Sequence, residues 1–160
     1  MANNLITSLD LIVSKHSFIE IQMCNEDTRE YGLKLSNEDI KTIIKTRSEA
    51  LSSNGRVEFG GGIIKKVISV FCDSPYISQY NYVETINDLI ETFYYYKNET
   101  MEKISDDELI ALMKKYFDNE CEGSVEFLRD KYLDSIASNI KFGVKDYLYI
   151  DEYEDLEEEE

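Results

Sequence analysis

The strongest constraint on this chain is the recurrence of apolar residues three and four positions apart, in stretches that open on capping residues and close on glycine or proline. Ser36 reads as an N-cap with Asp39 at the third helical position, and Ile40, Ile43, Ile44, Arg47 and Leu51 follow at helical spacing until Gly55. Ser105 precedes Asp106, Asp107 and Glu108, three acids at the positive end of a helix dipole, and Leu109, Leu112, Met113 and Tyr116 form the inward face. Between these, Gly62 to Cys72 suits a short helix broken by Asp73-Ser74-Pro75. Tyr82, Ile86, Leu89, Phe93 and Tyr96 form one continuous stripe. Ser124 caps a further stretch with Val125, Leu128, Tyr132, Ile136 and Ile140, which Gly143 ends.

The amino-terminal segment fits two periods. Leu5, Leu9, Ile12, His16, Ile19 and Met23 suit a helix, whereas Ile19, Ile21 and Met23 alternate as in a strand; the longer helical match is favoured. Five or six helices with short connections predict an all-α protein, an irregular bundle with one glycine-rich connection. The expected division is a single helical domain over 1–143 and an acidic tail over 144–160, with a short strand at Val144 to Ile150 before a disordered run. That tail holds nine acids and one lysine, half of the net charge of −16.

A length of 160 residues suits one cooperative core, and the hydrophobic fraction of 42% is too high for a disordered chain. The excess of acid disfavours direct contact with nucleic acid or anionic membrane surfaces. No apolar run approaches the ~20 residues that span a bilayer, and the first residues lack a basic, signal-like opening. Three widely spaced cysteines, Cys24, Cys72 and Cys121, suit reduced thiols. The expected location is the cytoplasm, and abundant Asn, Ile, Lys and Tyr point to an AT-rich bacterial genome.

Several strings recur together: Thr46-Arg47-Ser48-Glu49-Ala50-Leu51, Gly55-Arg56-Val57-Glu58-Phe59-Gly60-Gly61-Gly62-Ile63-Ile64, Phe71-Cys72-Asp73-Ser74-Pro75-Tyr76, Phe93-Tyr94-Tyr95-Tyr96-Lys97-Asn98-Glu99 and Ser105-Asp106-Asp107-Glu108-Leu109-Ile110. Over about Cys24 to Gly143 the chain resembles a bacterial family known as a domain of unknown function. The resemblance implies a single small cytosolic domain and supplies no catalytic residue.

The candidate sites centre on Gly55 to Gly62. A glycine-rich loop opening a helix can present backbone N–H groups to a phosphate, but Gly61 stands where a Walker lysine would follow Gly60, so a tight turn needing positive φ is the competing reading. Arg47 lies on an apolar stripe and must find a carboxylate, with Glu58 and Asp73 the expected partners. His16 is the only histidine and nothing brings it to a nucleophile; Cys72, followed by Asp73, is poorly placed to hold a thiolate. From Asp118, a calcium loop would need a glutamate at its twelfth position, which is Arg129. Tyr94, Tyr95 and Tyr96 cannot all face one core, so at least one reaches the surface.

The leading reading is a non-enzymatic protein-interaction module without cofactor or metal. Its binding candidates are Arg47, Arg56, Glu58, Gly60, Gly61, Gly62, Asp73, Tyr94 and Tyr95, and its expected partner is another protein, basic by charge complementarity. The alternative is an enzyme or small-anion binder using the Gly55–Gly62 connection with Arg47 and Arg56. The third is a nucleic-acid-mimic inhibitor.

Overall fold

A computed structural model describes residues 2–150, with side chains described over 15–150. The disordered run expected at Asp151 to Glu160 lies outside the described residues. Six helices follow in order: α1 (Ala2–Thr28), α2 (Asn37–Asn54), α3 (Gly62–Phe71), α4 (Tyr82–Glu99), α5 (Asp106–Asp118) and α6, which spans 125–141. A 3-10 turn, Arg29–Tyr31, follows α1. No strand occurs among the described residues. The all-α expectation holds, and the helical reading of the amino-terminal segment was the right one.

The caps explain the boundaries. The Ser36 hydroxyl accepts from the Asp39 N–H while the Asp39 carboxylate accepts from the Ser36 N–H, so two otherwise unpaired donors are satisfied reciprocally. The Ser105 and Ser124 hydroxyls each accept one N–H, from Glu108 and Phe127. α2 stops where Gly55 turns left-handed at φ 66°.

The core follows the stripes. Ile40, Ile43, Phe71, Ile86, Leu89, Phe93, Met113, Phe117 and Leu128 are fully buried, and α4 is the central helix, packed on α2, α3, α5 and α6. α1 lies across α2 and α3. At roughly 25 cal/mol per Å² of apolar surface removed from water, burial of this set is the dominant favourable term in folding.

Two departures concern the carboxyl-terminal part. Residues 128–133 of α6 form a π-helical turn, Leu128–Leu133, in which the Asp134 N–H reaches back five residues to the Arg129 carbonyl. The Tyr96 hydroxyl donates to that same carbonyl at 3.2 Å and also to the Asp134 carboxylate. The short strand expected at Val144 to Ile150 is replaced by bends and turns. Its carbonyls find a side chain instead of a neighbouring strand: the Asn139 amide donates to Tyr147 and Tyr149, while Tyr147, Leu148 and Ile150 pack against the core.

Candidate functional site

The connection between α2 and α3 runs from Gly55 to Gly61, and its side chains alternate. Arg56 and Glu58 turn inward, whereas Val57 and Phe59 point outward and are 74% and 73% exposed. Period-two alternation is the signature of extended chain. No backbone hydrogen bond engages Val57, Glu58 or Phe59 among the described residues.

Glu58, only 8% exposed at its side chain, is the hub. Its carboxylate accepts from the Tyr94 hydroxyl at 2.7 Å and the Ile63 N–H at 3.3 Å, and it forms an ion pair with the Arg56 Nε at 3.1 Å. Arg47 lies further off, at 3.9 Å. Arg47 is 3% exposed, and its guanidinium is satisfied mainly by neutral acceptors: the Gly60 and Gly61 carbonyls at 2.9 and 3.1 Å, and the Ser17 hydroxyl at 2.8 Å. Gly60 and Gly62 adopt φ of 63° and 45°. A Cβ at Gly60 would lie 2.5 Å from the Glu20 carboxylate, and one at Gly62 would lie 2.6 Å from that of Glu58, so the glycines admit two acids against the chain.

Those acids settle what the start of α3 is bonded to. The Gly61 N–H donates to Glu20 and the Ile63 N–H to Glu58. Carboxylates at a helix N-terminus satisfy unpaired donors and complement the dipole, as a bound phosphate would. The hydrogen bond from Gly61 holds the Glu20 carboxyl below its usual range.

On the other side, Arg56 makes a two-pronged bond to Asp106 at 2.6 and 3.2 Å, and its guanidinium lies over the Phe93 and Tyr94 rings. Lys97, itself buried, donates to Asp106 at 3.0 Å and to the Ile104 carbonyl at 2.5 Å. The hydrogen bond from Arg56 holds the Asp106 carboxyl below the usual carboxylate range. Burial and then the Glu58 carboxylate push the Tyr94 phenol upward, so it stays a donor.

The expected residues therefore divide. Arg47, Arg56, Glu58, Gly60, Gly61, Gly62 and Tyr94 converge on one network, but Asp73 does not join it. The expectation that Asp73 partners Arg47 is corrected: Asp73 sits at the far end of α3 and pairs with Lys114 at 3.0 Å, while Lys114 also meets Asp118. Tyr95 is also separate, half-exposed against Tyr96 and beneath the Arg129 guanidinium. The sequence reading missed Lys97, Glu20 and Ser17 as members. Lys97 carried a readable signal, since it falls four residues after Phe93 on the α4 stripe, as Arg47 falls on that of α2.

With this geometry in hand, comparison with known proteins gives one result: residues 20–146 match a family of unknown function, DUF6323. The chain belongs to DUF6323. No curated protein and no solved structure matches it. The matched region of this DUF6323 protein holds Glu20 and the whole Arg47–Glu58–Arg56–Asp106–Lys97 network, so the ionic assembly lies inside the family domain. Among its described residues, no helix is long and apolar enough to cross a membrane.

Proposed function

We propose that this chain is a protein-interaction module that presents the Arg56–Phe59 segment to a partner. The observation that carries the reading is the pairing of opposite behaviours at adjacent residues. Arg56 and Glu58 are clamped by charged and phenolic groups from α4 and α5, while Val57 and Phe59 are the apolar pair left in solvent. Two apolar side chains held out from an extended chain that makes no backbone–backbone hydrogen bond at Val57, Glu58 or Phe59 among the described residues match the way an extended segment of another protein is recognised, by main-chain hydrogen bonds and side-chain pockets. Because the segment is braced, little ordering entropy is lost on binding. The acidic balance of the chain favours a basic partner and a salt-sensitive association rate.

The alternative reading, an anion cradle at Gly60 to Gly62, finds less support, because Glu20 and Glu58 already bond the N–H groups it needs and Arg47 is enclosed. The test is capture from the native host with the unmodified chain and with a Val57→Ser/Phe59→Ser double variant, followed by reconstitution with the purified captured protein. The reading expects one partner lost from the variant while the melting temperature stays within about 2 °C, the usual consequence of surface changes. Identical capture by both forms would overturn it.

A further inference from the structure

α1 carries two lines of residues, and its own chain uses one of them. Ser17, Ile21, Cys24 and Thr28 form the inner line, buried where α1 lies across α2 and α3. His16, Ile19 and Met23 form the outer line, about 130° round the helix, and all three are exposed. Two large apolar residues thus stand in solvent on the side away from the core.

The helical register over Ala2–Thr28 extends both lines toward the amino terminus. The inner line runs back through Ser14, Asp10, Thr7 and Asn3, all polar, while the outer line runs back through Ile12, Leu9 and Leu5, all apolar. The first turns of α1 therefore have their apolar positions in register with the exposed Ile19 and Met23 and not with the buried Ile21 and Cys24. Leu5, Leu9, Ile12, His16, Ile19 and Met23 alternate in steps of four and three. So narrow and regular a line is the seam of a coiled coil, and it fits a facing helix of the same period.

We propose that α1 pairs in parallel with α1 of a second copy of this chain. Charge sets the orientation. A parallel pair brings Lys15 beside the partner's Glu20 on both flanks of the seam, whereas an antiparallel pair with Leu5 over Met23 sets Lys15 against Lys15. His16 is the polar member of the seam; it meets Glu20 of its own chain at 3.2 Å, and it fixes the register while weakening the pairing. Leucine at the first heptad position with isoleucine at the fourth can suit bundles of more chains, but the flanks are occupied here. Glu20 accepts from the Gly61 N–H and Gln22 donates to Asn37, which leaves room for one neighbour. A helix of 27 residues is about 40 Å long and covers a strip of roughly 400 Å² on its partner. Twice that area falls below the roughly 1,200 Å² of a stable complex, so the dimer is weak and depends on concentration. This pairing does not involve Val57 or Phe59 and stands apart from the interaction reading.

The test is sedimentation velocity of the full chain from about 5 to 500 µM, a span that brackets weak association. A shift from monomer to dimer is expected, and it should strengthen with salt, because the apolar seam persists while repulsion between two chains of net charge −16 is screened. Association with a basic partner would respond to salt in the opposite sense. Ile19→Glu and Met23→Glu, at exposed positions where folding is not at risk, should each weaken the dimer by about tenfold or more by setting a charge in the seam. His16→Leu should tighten it by about tenfold, and Lys15→Glu should weaken it several-fold by placing like charges together. A chain that stays monomeric at about 500 µM overturns the proposal. So does a dimer indifferent to Ile19→Glu and Met23→Glu, and indifference to Lys15→Glu overturns the parallel orientation.

Discussion

Two ionic clusters at opposite ends of α3 use similar chemistry with opposite balances. At its amino-terminal end, three cations share Glu58 and Asp106 behind packed side chains. At its carboxyl-terminal end one cation, Lys114, lies between Asp73 and Asp118, and Asp73 is mostly in water. Hydrated charges attract weakly and tolerate loss, whereas enclosed charges depend on every partner. The comparison teaches that an ion pair's worth is set by what else its members touch: Glu58 also holds a phenol and a helix N-terminus, and Asp73 holds one ammonium.

The largest expected effect is therefore Glu58→Ala, which leaves the buried Arg47 without a carboxylate, takes from Arg56 one of its two, and frees the Tyr94 hydroxyl and Ile63 N–H. A loss of about 3–5 kcal/mol is expected in chemical denaturation. A loss below about 1 kcal/mol would erase the distinction between the clusters. Arg47→Met comes next, at about 1–2 kcal/mol, because an apolar chain of similar length replaces the cation and the cost falls on the Gly60 and Gly61 carbonyls and Ser17. If it destabilises more than Glu58→Ala, the glycine carbonyls and not the carboxylate form the hub.

The clusters should also fail at opposite ends of the pH scale. Asp106 has a folded pKa below its unfolded one, chiefly through Arg56, so its contribution is complete above the ordinary carboxylate value of about 3.9 and is lost as pH falls through the depressed value. Burial works against the Lys114 ammonium, but hydrogen bonds to Asp118 and Asp73 outweigh it and raise its pKa. Its contribution is complete below about 10.4 and is lost as pH rises through the raised value. Melting across pH should show Asp106→Asn flattening the acid limb alone and Lys114→Gln the alkaline limb alone. The smallest effect is Asp73→Ala, below about 1 kcal/mol, since its carboxylate is largely hydrated and Lys114 keeps Asp118.

The same contrast explains what was legible in the sequence. Caps act within three residues, so Ser36, Ser105 and Ser124 announced their helices, and Arg47 announced itself by standing on an apolar stripe. Partnership across helices is set by packing, and nothing local places Asp106 fifty positions from Arg56 or keeps Asp73 away from Arg47. Asp106 was visible only as a residue complementing its helix dipole. Glu20 was hidden for a related reason, because its partner is a backbone N–H, to which sequence is blind.

The π-helical turn of α6 governs angular phase. Leu128, Tyr132, Ile136 and Ile140 are each four apart, and in a regular α-helix four residues advance about 400°, so each step would rotate the next side chain some 40° past its predecessor. Three such steps accumulate about 120°, enough to carry Ile140 off the core face. The wider turn at Leu128–Leu133 takes up one residue and resets the rotation, and Tyr132, Ile136 and Ile140 all remain buried. The bond from Tyr96 to the Arg129 carbonyl lies at that reset. α4 thus acts as the index mark against which the last helix is wound, and removing a single residue from 128–133 would turn the remainder of α6 through about 100°.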